Sequence, residues 1–277
     1  MGSLGNPIPT SSLEGKSALV TGGGRGIGRA ISLQLARKGI SFLAITYVGN
    51  KTAADDVASQ CRSLGAKKVA VIKADLLDPE IGPKLLSSVL STLNITTLDI
   101  VVNNAALVDM ALNQPFTSTT LSGFTTMLQG NCFAPISIIN AALHYLPAHS
   151  GRVINISSVG SKNAPDPLMS YGASKAALDS YTRSLAMTFA KEKKATFNSV
   201  SVGATRTEAM EKAISSNALP EGFLEGLVDR VSADTRFGEP EDVAMIVGWL
   251  ASEESRWING ASVMAHGGDA YMLAAQG

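Results

Sequence analysis

Ser17-Ala18-Leu19-Val20-Thr21-Gly22-Gly23-Gly24-Arg25-Gly26-Ile27-Gly28 is the stretch that decides the fold. A short apolar run, Ala18 to Val20, leads into a glycine-rich turn, and a helical pattern begins at Ile27. In a strand-turn-helix, glycine permits the tight turn and lets backbone N–H groups approach a pyrophosphate at the positive end of the helix. Gly22, Gly26 and Gly28 stand where that job requires them. A glycine-rich run alone is an ordinary loop as readily as a phosphate cradle. The strand before it and the helix after it are what point to a dinucleotide.

Beyond this unit the same alternation continues. Ser17–Thr21, Ser41–Tyr47, Lys68–Ala74, Leu98–Asn103, Arg152–Ser158, Thr196–Val202 and Ser262–Ala265 are short and rich in Val and Ile, the signature of strands. Between them Gly26–Lys38, Thr52–Leu64, Pro79–Thr92, Thr119–His144, Ser170–Lys191 and Pro240–Ala251 are predicted helices. Asp78-Pro79-Glu80 and Glu239-Pro240-Glu241-Asp242 carry helix-start chemistry, with acid near the positive helix end. Continuous apolar strands separated by helices predict an α/β fold: a single Rossmann-type, doubly wound, parallel seven-stranded sheet with helices on both faces. The expected division is a flexible arm over residues 1–14 and one domain over 15–277. Within it the segment 204–237, punctuated by Gly and Pro, is placed to cover a ligand.

The bulk composition excludes several roles. The chain has 277 residues, 45% hydrophobic and 17% charged, with a formal net charge of zero. That removes the electrostatic drive towards nucleic acid or an anionic membrane, and no apolar run is long enough to cross a bilayer. Residues 1–15 lack an apolar signal core. Cys61 and Cys132 are the only cysteines, so buried thiols in a reducing, cytoplasmic setting are expected. His144, His149 and His266 have no metal-ligand spacing, and no metal is expected.

The second predicted strand ends Ala44-Ile45-Thr46-Tyr47-Val48-Gly49-Asn50-Lys51, without the acid that holds the ribose hydroxyls of NAD. Arg25 inside the glycine turn and Lys51 beyond the strand could meet a 2′-phosphate, which favours NADP(H).

Tyr171-Gly172-Ala173-Ser174-Lys175 places a phenol and an ammonium one helical turn apart, with Ser158 thirteen residues upstream of the tyrosine. With the glycine turn, this arrangement resembles the short-chain dehydrogenase/reductase family over roughly residues 15 to 268. The similarity implies Thr21–Gly28 as the phosphate loop, Asp75 near the adenine, and Asn103-Asn104-Ala105 steadying the sheet beside the cofactor. It implies Asn131, Ser158, Tyr171 and Lys175 as the active residues, and Gly203, Thr205 and Thr207 as the lining of the nicotinamide. Tyr47 and Ile27 fall in the cofactor-binding segments. It also implies a homotetramer built through Thr119–His144, Ser170–Lys191 and the last strand. Three departures stand out: Val202-Gly203 where Pro-Gly is common, Ala106 after Asn-Asn-Ala where glycine is usual, and His266-Gly267-Gly268 where Asp-Gly-Gly is usual.

The implied chemistry is reduction of a carbonyl. Hydride transfer builds negative charge on oxygen, and a proton must arrive there. Tyrosine ordinarily ionises near pH 10, and Lys175 is expected to lower that value while donating to the ribose. Ser158 would orient the carbonyl and Asn131 would support a water chain from Lys175. Leu107, Met110, Met169, Met210 and Phe223 are candidate apolar wall residues, which suits a bulky lipophilic small-molecule substrate. His266 is a candidate substrate contact or a structural residue. Asp166 stands between Pro165 and Pro167 in a loop similar to that of fungal secondary-metabolite reductases, some acting on indole alkaloids. Two further functions are therefore kept: an iminium reductase or cyclisation-guiding enzyme with Asp166 as counter-ion, and a dinucleotide-sensing protein without turnover.

Overall fold

The computed structural model describes residues 10–108, 111–215, 222–270 and 272, the side chains at 209, 212, 213, 223 and 224 excepted. Seven strands make one parallel sheet: β1 (Ser17–Val20), β2 (Phe42–Tyr47), β3 (Lys68–Lys73), β4 (Ile100–Asn103), β5 (Gly151–Ser158), β6 (Ala195–Val202) and β7 (Ser262–Ala265), in the order β3-β2-β1-β4-β5-β6-β7. The chain starts in the middle, winds outward to β3, then returns past β1 to β4. That reversal opens a crevice at the carboxyl ends of β1 and β4, where ligands of such sheets bind.

One face is covered by α1 (Gly26–Arg37), α2 (Lys51–Ser63) and α9 (Pro240–Leu250), whose Ile31, Leu35, Val57 and Val247 are buried with Ile45, Val102 and Val200 of the sheet. The other face takes α3 (Ile81–Leu93), α4 (Leu121–Leu128), α5 (Ala134–Ala142) and α6 (Met169–Lys193). There Leu86, Ile138 and Ala186 join Leu19, Val101 and Phe197. Because both faces are covered, the central strands have no solvent side, which is why they read as unbroken apolar runs. Leu13, near the end of the predicted arm, is 2% exposed and belongs to the first of these cores, its N–H donating to the Lys38 carbonyl at 2.8 Å.

Three elements differ from their predicted form. The helix expected from Pro79 begins at Ile81, because Asp78 first makes a turn, its carboxylate accepting the Glu80 N–H at 2.9 Å. The long helix predicted over Thr119–His144 is α4 and α5 joined by one π-helical turn, Gln129–Phe133, with Thr120 capping the start through the Gly123 N–H. The segment 204–237 holds two short helices, α7 (Glu208–Ser215) and α8 (Phe223–Val228). It is pinned at its ends by bridges from Thr205 to Gly238 and from Val231 to Asp269. Among the described residues no helix is long and apolar enough to cross a membrane.

Candidate active site

The glycine turn is built for close approach. Gly22 (φ 65°) and Gly26 (φ 50°) occupy the left-handed region, and a Cβ on Gly28 would run into the Gly22 carbonyl. Side chains from neighbouring strands brace it. Gly22 N–H donates to Thr46 Oγ1 at 3.0 Å, while Thr21 Oγ1 accepts from the N–H groups of Asn104 (2.9 Å) and Ala105 (3.0 Å). Asn104 Nδ2 donates back to the Thr21 carbonyl at 2.9 Å. Thr46 was not singled out from sequence, although its place one residue before the end of β2, beside the turn, is a usable signal. A glycine turn in left-handed backbone, closed on itself at Gly28 and leading into the start of α1, fits a pyrophosphate.

Around this turn lie the other predicted cofactor residues. Ile27 packs partly buried on the core below, as does Tyr47 at the end of β2. Arg25 holds the position before α1 and is exposed. Lys51 opens α2 and is already engaged, its Nζ 2.7 Å from Asp55 on the helix surface. Asp75, just past β3, accepts the Leu77 N–H at 2.9 Å. Asn103, the last residue of β4, donates to Asn155 Oδ1 at 2.9 Å and leaves its own Oδ1 buried without a partner. Asn155 in turn donates to Thr182 Oγ1 on α6 at 2.9 Å, so one chain of side chains runs from the switch point to α6.

Ser158 ends β5, and Tyr171 and Lys175 occupy the first two turns of α6. Lys175 Nζ lies 5.8 Å from the centre of the Tyr171 ring and donates to the Ile156 carbonyl at 2.9 Å. Ser158 accepts the Gly160 N–H at 3.1 Å, and its hydroxyl acts on the Tyr171 phenol. Burial pushes the Tyr171 phenol up to about 12, with Ser158 acting against it. In this geometry desolvation of the phenolate is the larger effect on Tyr171. Burial pulls Lys175 itself down to about 8, opposed by Asp179 and then by Cys132.

Asn131 sits in the π-helical turn, fully buried. Its Oδ1 accepts the Leu107 N–H at 2.7 Å, and its Nδ2 donates to the Leu107 carbonyl at 3.0 Å and Ser174 Oγ at 3.2 Å. The extra residue of the turn aims this amide between the segment after β4 and α6, a placement typical of π-turns at functional sites.

Of the predicted wall residues, Leu107 packs against Gly130, where a Cβ would strike its side chain. Met169 is 44% exposed at the start of α6. Met210 is partly buried in α7, its N–H directed to Thr207 Oγ1 at 3.3 Å. Met110 and the side chain of Phe223 lie outside the described residues. Gly203 passes so close to His266 that a Cβ would sit 2.7 Å from the histidine's own. Thr205 and His266 line a cavity of about 250 Å³ with Val231, Arg236 and Asp242. His266 Nδ1 accepts the Asp269 N–H at 3.0 Å, the bond a carboxylate at this position could make, so the imidazole serves as a backbone brace. Asp166 is exposed and its Oδ1 accepts the Phe116 N–H at 2.9 Å, tying the loop before α6 to the 3₁₀ turn Phe116–Ser118. A larger groove, about 710 Å³, lies on the surface between α1 and α2 at Arg29, Arg37 and Gln60, apart from these groups.

A family model described as enoyl-(acyl carrier protein) reductase matches residues 22–269. The short chain dehydrogenase asqE of Emericella nidulans is 52% identical over 258 residues, covering 93% of this chain and 94% of the relative. Versicolorin reductase 1 of Aspergillus parasiticus is 33% identical, covering 92% and 97%. Among solved structures, a short chain dehydrogenase from Burkholderia cenocepacia in complex with NADP superposes with a TM-score of 0.82 at 32% identity, covering 93% of this chain and 98% of that one.

Proposed function

Since the chain belongs to the short-chain dehydrogenase/reductase family, we propose that it is an NADPH-dependent reductase acting on a carbonyl of a bulky, lipophilic specialised metabolite. One observation carries this reading: Ser158, Tyr171 and Lys175 converge where β5 ends, at the carboxyl edge of the sheet that also carries the glycine turn. The kinship with fungal reductases such as versicolorin reductase 1 supports the substrate class.

When bound, NADPH supplies the hydride. Gly22, Gly26, Ile27 and Gly28 would hold its pyrophosphate, Asp75 its adenine, and Asn103, Ala105, Gly203, Thr205 and Thr207 the nicotinamide end. Arg25 and Tyr47 border the place for the 2′-phosphate, and Lys51 would exchange Asp55 for it. Tyr171 donates the proton to the carbonyl oxygen. A phenol kept protonated at neutral pH is the form a reduction needs. Lys175 fixes the phenol and the ribose, Ser158 holds the carbonyl oxygen, and Asn131 carries the proton path from Lys175 outward. The segment 204–237 would close over the substrate within a single domain. Four copies would assemble through the segment 119–144, α6 and β7, where Phe133 (47%) of the π-helical turn and Tyr181 (50%) and Met187 (84%) of α6 are exposed. A single-chain mass in sedimentation equilibrium would remove that assembly.

No observation favours a cationic substrate, because Asp166 is exposed and engaged by backbone. The deciding experiment is NADPH oxidation across a panel of small and polycyclic aromatic ketones, with NADH in parallel. Turnover of the bulky ketones with NADPH is expected, and Tyr171→Phe should reduce it at least about a hundredfold. Binding of NADPH with no ketone reduced, or full activity in Tyr171→Phe, would overturn the reading.

A further inference from the structure

Asp179 stands one turn beyond Lys175 on the buried stripe of α6 that runs Lys175, Asp179, Thr182, Ala186. It is 3% exposed, and neither carboxylate oxygen has a hydrogen-bond partner. A buried, unpaired carboxylate is costly and needs a reason. The sheet opposite is polar. Asn155 reaches Thr182, so Ser157, two residues on along β5, faces α6 as well. Ser201 lies across from Ser157 in register, and both hydroxyls are buried and unpartnered.

The charges around Lys175 are few. Of the elements that pack on α6, α4, α5, β6 and the 3₁₀ turn Val159–Ser161 contain no titratable side chain. The π-helical turn brings Cys132. β5 brings only Arg152, at its far end and paired with Glu253. On α6 itself, Tyr171 precedes Lys175, and Arg183 is exposed and makes no ion pair with Asp179. Lys162, past the 3₁₀ turn, is exposed. Asp179 is therefore the one acid among these groups, and Lys175 the one buried cation within a turn of it.

We propose that Asp179 is a positioning residue: its carboxylate is the counter-charge that keeps Lys175 an ammonium inside the protein, with all three donors available to tyrosine, backbone and ribose. The proposal rests on the role given to Lys175 above. The carboxylate touches neither substrate nor cofactor and acts only through the lysine. The charge of Asp179 also opposes the desolvation of Lys175, more strongly than Cys132 does.

Two measurements test it, neither needing the substrate. NADPH affinity is followed by fluorescence against pH in a Tyr171→Phe background, so that tyrosine ionisation plays no part. Affinity should fall as pH rises through about 8. Asp179→Asn should move that fall at least about one pH unit lower, roughly a tenfold change in the lysine's equilibrium, and Asp179→Glu should restore it. An unmoved break with Asp179→Asn, or no rescue by Asp179→Glu, overturns the proposal.

The second measurement is a double-mutant cycle in urea with Lys175→Met. Asp179→Asn should destabilise the parent and stabilise the Lys175→Met variant, where the carboxylate has lost its counter-charge. Equal effects in both backgrounds overturn the proposal. Should NADPH bind at no pH, the cofactor reading fails, while the urea cycle still decides for or against Asp179.

Discussion

At the scale of single residues, what a side chain can do depends on its neighbours' commitments. Arg25 and Lys51 were equivalent cations in the sequence. In the structure Lys51 already holds Asp55 at 2.7 Å, whereas Arg25 is exposed and, among the described residues, makes no ion pair. Arg25→Ala should therefore lower kcat/KM for NADPH about tenfold, in the range of a lost charge-assisted hydrogen bond, with NADH little affected. Lys51→Ala should cost less, because the wild-type lysine gives up one partner to gain another. Steady-state kinetics with both cofactors check this, and an equal loss for NADPH and NADH in Arg25→Ala would contradict it. The spacing of Tyr171 and Lys175 was legible because a distinctive pair needs only a helix to bring it together. Asp179 was not legible. A lone aspartate in a helix reads as a solvated charge, and only the packing of α6 on β5 and β6 reveals it as buried.

At the scale of elements, local chemistry that closes on itself was the readable kind. Glu239-Pro240-Glu241-Asp242 predicted a helix start, and α9 begins there with a capping box, Glu239 N–H donating to Asp242 at 2.8 Å. Asp242 also holds Arg236 at 2.7 Å, which binds the end of the covering segment to α9. Asp242→Ala should cost about 1 kcal/mol in urea unfolding, the usual worth of such a cap. Asp242→Asn should cost a fraction of that, since an amide oxygen still caps. Indistinguishable midpoints for Asp242→Ala and the parent would show that the box adds nothing. The seven strands were legible for a different reason: burial on two faces leaves no polar alternation to confuse them. The π-helical turn escaped, since nothing within Gln129–Phe133 encodes an extra residue. It follows from Leu107 packing on Gly130 and bonding Asn131, contacts made across the fold.

At the scale of the whole molecule, the fold spends stability on its site, and pH exposes how much. Lys175 titrates near 8 in the folded chain against an ordinary 10.5. Below pH 8 both folded and unfolded chains carry the proton, and the cost of burying the charge is present in full. As pH rises from 8 towards 10.5, the folded chain sheds the proton first, the unfolded chain binds more, and stability increases. Cys61 works the other way. Burial pushes its thiol from 9.0 up to about 11, so its contribution is complete below pH 9 and is lost as pH rises through 11. Tyr171 follows, with a loss between 10 and about 12. The cofactor-free protein should therefore gain resistance to urea between pH 8 and 9 and lose it above 10. In Lys175→Met the gain between 8 and 9 should vanish while the alkaline loss remains, and Cys61→Ala should delay the onset of that loss. Urea midpoints at half-unit pH steps for the three proteins decide the matter. A parent curve that only declines from pH 8 would mean that Lys175 keeps its proton in the folded chain as firmly as in the unfolded one, and that burial does not pull the lysine down.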